Sequence, residues 1–313
     1  MAHSDLEAEF GQPLAEWRPS GSIMAMATPF PNRKPRDDEI DVFGLTHQGH
    51  LRKDNQDQFL LASIHKRVNV VATSLPESQR AALSGDERLA FLAMVADGVG
   101  GGEGGAEASA TALEASLEYV QHSMACYYRG DSADGEFIEQ LQTAAARAHE
   151  AIIARRNAAG RKGTMATTLT LWMGVWPASY LMQVGDSRFY LFRDDQLHQI
   201  SRDQTMAQDL VDEGVLTRTA AFRTPLANVL SSALGAENHL PVVTRLTQQW
   251  GAVGLLCSDG LTKHVPDARI AQHLRTMTSA KQACEALLQD ALDNGGSDNI
   301  TVIVGRGVPK ELP

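Results

Sequence analysis

The sequence predicts an α+β fold in which antiparallel sheets stack face to face with helices on the outside. Three observations carry this reading. Strand-like and helix-like segments come in blocks instead of a strict βαβα alternation. Consecutive strand-like runs between 167 and 200 are joined by turns so short that adjacent runs must be antiparallel. Finally, 313 residues with 43% hydrophobic and 21% charged side chains can build a sizeable core as one large domain or two small ones.

Residues 1–40 carry five of the twelve prolines and no sustained periodicity, which predicts a mobile N-terminal arm. Short apolar runs follow, D-V-F-G-L-T-H from Asp41, Q-F-L-L-A-S from Gln58 and V-N-V-V-A from Val68, all strand-like in length and composition. The polar stretch 73–88 reads as a surface insertion between two strands. Residues 89–96 are almost wholly apolar and end at Asp97 and a glycine cluster, as in a strand buried on both faces that enters a tight loop. Spacing of 3.6 residues predicts helices over 106–124 and 137–156. A meander of strands at 167–176, 180–184, 189–193 and 196–200 comes next. The less regular 201–240, with one helix over 205–213, reads as a flap beside the sheet. Strands at 242–246 and 253–257, helices near 268–275 and 280–292, and a last strand at 299–305 complete the domain 41–308, leaving 309–313 as a tail.

A net charge of −10 and a pI near 5.5 argue against a nucleic-acid or anionic-membrane surface, since both need clustered Lys and Arg. No apolar run reaches about 18 residues, the least that spans a bilayer, and Asp5, Glu7 and Glu9 stand where a signal peptide would be basic. Cys126, Cys257 and Cys284 are far apart and form no C-x-x-C pair, so they read as small hydrophobes in a reducing compartment, and the chain as cytoplasmic.

Four aspartates share one context: Asp97 in V-A-D-G-V-G-G, Asp186 in Q-V-G-D-S-R, Asp259 in L-C-S-D-G-L and Asp298 in G-G-S-D-N-I. Each stands at the mouth of an apolar strand beside a Gly or Ser turn. Any one of them alone reads best as a turn former. Several converging on one cleft would repel one another unless a cation lay between them, and hard oxygen ligands without a Cys or His cluster point to Mg²⁺ or Mn²⁺. Arg52, in L-R-K-D-N-Q-D, could grip two phosphate oxygens at once; its plain alternative is a surface pair with Asp54 or Asp57. Gly100, Gly102 and Gly105 can also be scanned as G-x-G-x-x-G. A dinucleotide loop is disfavoured there, because Asp97 would crowd the pyrophosphate and the later strands do not alternate with helices. His47 and His50 have ligand-like spacing but receive no role.

Taken in order, R-K-D-N-Q-D at 52–57, D-G-V-G-G at 97–101, M-A-T-T at 165–168, V-G-D-S-R at 184–188, S-D-G-L at 258–261 and G-G-S-D-N-I-T at 295–301 resemble the metal-dependent protein phosphatases of type 2C, in their bacterial Ser/Thr phosphatase branch. The resemblance covers roughly 41–306. It implies a four-layer αββα sandwich with a metal site at one edge of the sheets, and hydrolysis of phosphoserine and phosphothreonine in proteins by a metal-bridging water. The implied partners are phosphorylated proteins and an opposing Ser/Thr kinase. By the same resemblance Asp97 would bridge two Mn²⁺ or Mg²⁺ ions, the Gly98 carbonyl would bind one of them, and Asp259 and Asp298 would hold the other. Asp57 would order metal-bound water, Asp186 and Asp259 would hold a third, weaker ion, and Arg52 would bind the phosphate.

Three positions depart from the family pattern. Gln56 stands where many members have Glu, Val99 takes the place of a histidine proposed as general acid in some eukaryotic members, and Ala166 replaces a common Gly. None of these removes a direct metal ligand. A catalytically silent phosphoprotein-binding module remains the alternative, whose signature would be loss of Asp97, Asp259 or Asp298.

Overall fold

The computed structural model describes residues 32–100, 103–123, 134–161, 163–221 and 223–310. Within them, two antiparallel sheets pack face to face. The first sheet runs β1 (Ile40–His47), β11 (Ile300–Gly307), β10 (Val253–Cys257), β7 (Arg188–Arg193) and β8 (Gln196–Gln199) in spatial order. The second runs β2 (Asp57–Val68), β3 (Gly85–Val99), β5 (Leu169–Val175), β6 (Ala178–Val184) and β9 (Val242–Thr247), with the two-residue β4 (Ala166–Thr167) paired to the end of β3. Helices α2 (Glu103–Ser123) and α3 (Asp134–Ala158) cover the outer face of the second sheet, and α7 (Asp267–Thr276) and α8 (Ala280–Asp293) that of the first, while the short α4 (Met206–Asp212) and α5 (Arg218–Ala221) belong to the flap segment. The result is the four-layer αββα sandwich.

The layers follow from residue periodicity. In α3 the buried residues are Phe137, Leu141, Ala144, Ala145, Ala148 and Ile152, a single apolar stripe at helical spacing. In α8 they are Ala280, Ala283, Cys284, Leu287 and Ala291, and Ser279 caps the helix by accepting from the Gln282 amide at 3.1 Å. From Arg88 onward both faces of β3 are covered. Leu92, Met94 and Ala96 turn to the helices, while Ala93 and Val95 turn to the opposite sheet. The inter-sheet layer also takes Leu181, Phe189, Leu256 and Ile303, flanked by Phe59, Leu61 and Trp172.

Several boundaries differ from the sequence reading. Val71 is 89% exposed, and V-N-V-V-A forms no strand; instead β2 continues without a break to Val68, because its alternation is sustained by pairing along the whole of β3. The 73–88 insertion holds α1 (Glu77–Leu83), and its last residues already belong to β3. The pairing of β2 with β3 shifts register between Ile64 and His65, leaving Leu89 as an extra residue. The meander is also divided. Strands β6 and β7 are consecutive but do not pair; the chain crosses from one sheet to the other at Gly185, Asp186 and Ser187.

The arm meets the fold earlier than residue 40. Glu39, 1% exposed, accepts from Arg33 at 2.6 and 2.7 Å and from the Arg36 amide at 2.9 Å, and the Trp250 indole donates to the Arg33 carbonyl at 2.9 Å. Residues 1–31 and the tail from 311 lie outside the described residues, as does Cys126. Cys257 and Cys284 are buried, and burial pushes both thiols up to about 12, which fits their reading as small hydrophobes. Among the described residues no helix is long and apolar enough to cross a membrane.

Candidate active site

Strand parity delivers the site. Asp97 continues the inward series Ala93 and Val95, and Asp57 continues Phe59 and Leu61; the two are Cα partners at the same end of the β2–β3 pair. On the other sheet, Ser258 follows the inward Leu256, and Thr301 precedes the inward Ile303 by two. Four polar residues thus line the inter-sheet layer where its apolar filling ends. Asp259 opens α6 (Asp259–Thr262), Asp298 ends the turn before β11, and Asp186 sits in the crossing from β6 to β7. The sequence-predicted aspartates therefore converge at one edge of the sandwich.

Asp57 is fully buried. Its Oδ2 accepts from the Ser258 and Thr301 hydroxyls, each at 2.7 Å, while Oδ1 has no hydrogen-bond partner. Burial raises its carboxyl to about 6, against those two hydrogen bonds, and the charges of Asp259 and Asp298 push the same way as burial. Asp97 is held well above the usual carboxylate range, first by burial and then by the charges of Asp57, Asp259, Asp186 and Asp298. Asp186 rises to about 8 through burial and the charges of Asp259 and Asp203. Asp259 is raised by burial against the pull of Lys263, and its Oδ1 is a second buried oxygen without a partner. At Asp298 burial acts upward, but hydrogen bonds from Lys263 and Arg52 outweigh it and hold the carboxyl low.

Neighbouring motifs fix these positions. The Asp97 amide donates to Thr168 Oγ1 at 3.0 Å, Thr167 Oγ1 donates to the Asp97 carbonyl at 2.9 Å, and Thr168 Oγ1 meets Ser187 Oγ at 2.9 Å, so M-A-T-T ties Asp97 to the Asp186 turn. The Asn299 side chain accepts from the Gln56 amide at 2.9 Å and donates to the Gln48 and Asp54 carbonyls at 2.8 and 2.9 Å, tying the Arg52 loop to β11. A Cβ on Gly98 would lie 2.4 Å from the Gly105 backbone, so glycine there lets α2 start against the end of β3. The Gly185 amide donates to Gln204 Oε1 at 2.7 Å, which joins the flap segment to the same turn.

Arg52 lies across the cleft rather than on Asp54 or Asp57. It grips Asp298 with Nε on Oδ1 and Nη2 on Oδ2, both at 2.8 Å, and is half exposed. Lys263, to which the sequence reading gave no role, bonds Asp259 Oδ2 at 2.6 Å and Asp298 Oδ2 at 2.8 Å. Its signal was available as a basic residue one helical turn after Asp259. Among the described residues no three Asp, Glu, His or Cys side chains are gathered so as to hold a metal ion; oxygens of Asp259 and Asp298 are instead taken by Arg52 and Lys263. His47 accepts from the Gly49 amide at 2.9 Å, in keeping with a turn role. The antiparallel sheets exclude the doubly wound architecture that a dinucleotide loop requires. A cavity of about 160 Å³ lined by Phe91, Trp172, Phe189 and Trp250 lies at the opposite end of the inter-sheet layer and shares no residue with the carboxylates.

Two layers of antiparallel strands with acidic residues at one edge define a class, and comparison with known proteins identifies it. Residues 73–294 match the family model of protein phosphatase 2C, and the chain belongs to that family. It is 34% identical over 215 residues to the serine/threonine protein phosphatase PstP of Mycobacterium tuberculosis, a match covering 69% of this chain and 40% of the relative. To the serine/threonine phosphatase stp of Listeria innocua it is 33% identical over 141 residues, 45% of this chain and 56% of that one. The chain thus spans about half the length, or less, of the curated relatives it matches. The crystal structure of the M. tuberculosis serine/threonine phosphatase PstP/Ppp aligns with a TM-score of 0.69 at 28% identity, over 86% of this chain and 99% of that one. The PstP catalytic domain in complex with two manganese ions aligns with a TM-score of 0.66 at 28% identity, over the same shares.

Proposed function

We propose that this chain is a metal-dependent protein serine/threonine phosphatase, cytoplasmic, that hydrolyses phosphoserine and phosphothreonine in proteins and opposes a Ser/Thr kinase. The observation that carries it is the set of carboxylates at one edge of the sandwich, which raise one another's proton affinity and keep two buried oxygens, Asp57 Oδ1 and Asp259 Oδ1, without partners. A buried acceptor without a donor costs about 1–3 kcal/mol, more when charged, and a divalent cation removes that cost. All-oxygen donors suit Mn²⁺ or Mg²⁺.

In this reading Asp97, the Gly98 carbonyl, Asp259 and Asp298 would hold two ions, and Asp186 with Asp259 would hold a third. Bound there, the ions would supply a nucleophilic water at neutral pH and offset phosphoryl charge. Asp57 offers Oδ1 as a fixed acceptor that orients water, since its Oδ2 is saturated by Ser258 and Thr301. Arg52, half exposed on the rim, would bind the phosphate and stabilise its charge in the transition state. The flap, joined to the Asp186 turn through Gln204, borders the cleft where a phosphoprotein would lie.

The test is hydrolysis of a phosphothreonine peptide with Mn²⁺, with Mg²⁺ and after chelation, beside Asp97→Asn. Activity should depend on metal and fall at least about 10²-fold in the variant without loss of fold. Metal-independent hydrolysis, or near-normal turnover in a folded Asp97→Asn, would sink the metal assignment. A folded wild type inactive under every metal would bring forward the phosphoprotein-binding module.

A further inference from the structure

Lys263 follows Asp259 by one helical turn, at the end of α6. An exposed lysine four residues from an aspartate is ordinarily a weak, salt-screened pair. Lys263 differs in two respects. Its side chain is only 33% exposed, and its ammonium spans two carboxylates on different elements, Asp259 Oδ2 at 2.6 Å and Asp298 Oδ2 at 2.8 Å. These two belong to the pair assigned above to one metal ion. Arg52 grips both oxygens of Asp298, sharing Oδ2 with Lys263, while Asp259 Oδ1 is left without a partner.

We propose that Lys263 is a resident cation of the site. It holds Asp259 and Asp298 together when no metal is bound, and a divalent ion entering between them must displace it, so that Lys263 weakens this metal position and keeps its ion exchangeable. The physical reason is charge. A metal ion on the same oxygens would come within about 5 Å of the ammonium, and two cations at that distance in a partly enclosed site repel strongly. The carboxylates therefore exchange one counter-ion for another, and the free energy of the lysine contacts is subtracted from that of metal binding. The inference rests on the metal reading of the site.

The test is calorimetric titration of the chelator-stripped full chain with MnCl₂, comparing wild type with Lys263→Met, which keeps the length of the side chain and removes its charge. The variant should bind one Mn²⁺ at least about tenfold more tightly, the other position changing little. The metal-free variant should melt below the metal-free wild type, and the gap should close at saturating Mn²⁺. Unchanged or weaker Mn²⁺ binding by a folded Lys263→Met overturns the proposal. A wild type that binds no Mn²⁺ overturns the metal reading and this inference with it. Should the metal-free variant fail to fold, the wild type decides: reductive methylation followed by mass spectrometry should find Lys263 more reactive with Mn²⁺ than without, and equal protection in both states overturns the displacement.

Discussion

Replacing Asp57 by Asn should make the metal-free protein more stable while impairing the site. Asp57 is fully buried, and its carboxyl is raised from 3.8 to about 6. Above that pH the side chain is ionised in folded and unfolded chains alike, and the folded state bears the whole cost of the buried charge. At about 1.4 kcal/mol per pH unit of displacement this amounts to about 3 kcal/mol. Asn preserves the shape, and the Ser258 and Thr301 hydroxyls can meet its amide by rotating. Neutralising Asp57 also relieves Asp97, whose carboxyl it pushes up. For a domain of this size a gain of that order raises the melting temperature by several degrees. Because the folded form holds its proton more tightly, wild-type stability falls as pH rises from about 4 to about 6 and stays low above, whereas the amide contributes no such slope. Thermal melts of the chelated proteins followed by circular dichroism should show the variant ahead at pH 8 and the gap closed near pH 4. A variant no more stable than wild type at pH 8, or a gap independent of pH, would refute the electrostatic account.

Other outcomes follow from the same geometry. Ser258→Ala removes the hydroxyl that donates to Asp57 at 2.7 Å and accepts from the Thr301 amide at 2.9 Å, so it should cost about 1–3 kcal/mol in chemical denaturation. Arg52→Ala should lower kcat/KM on a phosphopeptide by about 10²-fold, because the phosphate loses its charged donor; an unchanged value would remove Arg52 from the site. His149 stacks on His239 at 3.6 Å between ring centroids and accepts from the Gly235 amide at 3.1 Å. Burial lowers its proton affinity, with His239 and Arg156 adding to the effect and Glu150 opposing it. Stability should therefore fall as pH drops below about 6.5, where the unfolded chain takes up the proton first, and His149→Gln should flatten that slope in melts between pH 7.5 and 5.5.

Much of this was legible in the chain because periodicity and the site share one cause. The inward alternation that fills the inter-sheet layer with Ala93 and Val95 also aims Asp97. Strand β10 came out of the sequence with its observed limits, since Gly254 and the apolar run that ends at Cys257 leave no other reading. What failed was long-range pairing. The turn at Gly185 to Ser187 is short enough for a hairpin, yet β6 pairs with β9 and β7 with β10, partners that lie far along the chain. The structural work of Ser258, Thr301 and Thr168 was equally hidden, because a hydroxyl's partner lies far away in the chain; Thr301 and Asp57 are 244 residues apart. Arg52 pairs with Asp298 for the same reason, 246 residues away, instead of with the nearby acids that local spacing offered.

The displaced register at Ile64 and His65 works as a length buffer. From that point to the cleft, pairing runs unbroken from Ile64 opposite Ala90 to Asp57 opposite Asp97, while everything beyond it, including α1, hangs from the far ends of the two strands. A residue gained or lost in that outer hairpin can be taken up where the ladder already skips Leu89, without turning Asp97 toward the helices. One gained or lost between the skip and the cleft would flip the remaining strand over. Foreign peptides should accordingly be accepted in the stretch before Glu77 and rejected within the eight pairs that end at Asp57, so this part of the chain separates freely variable length from fixed phase.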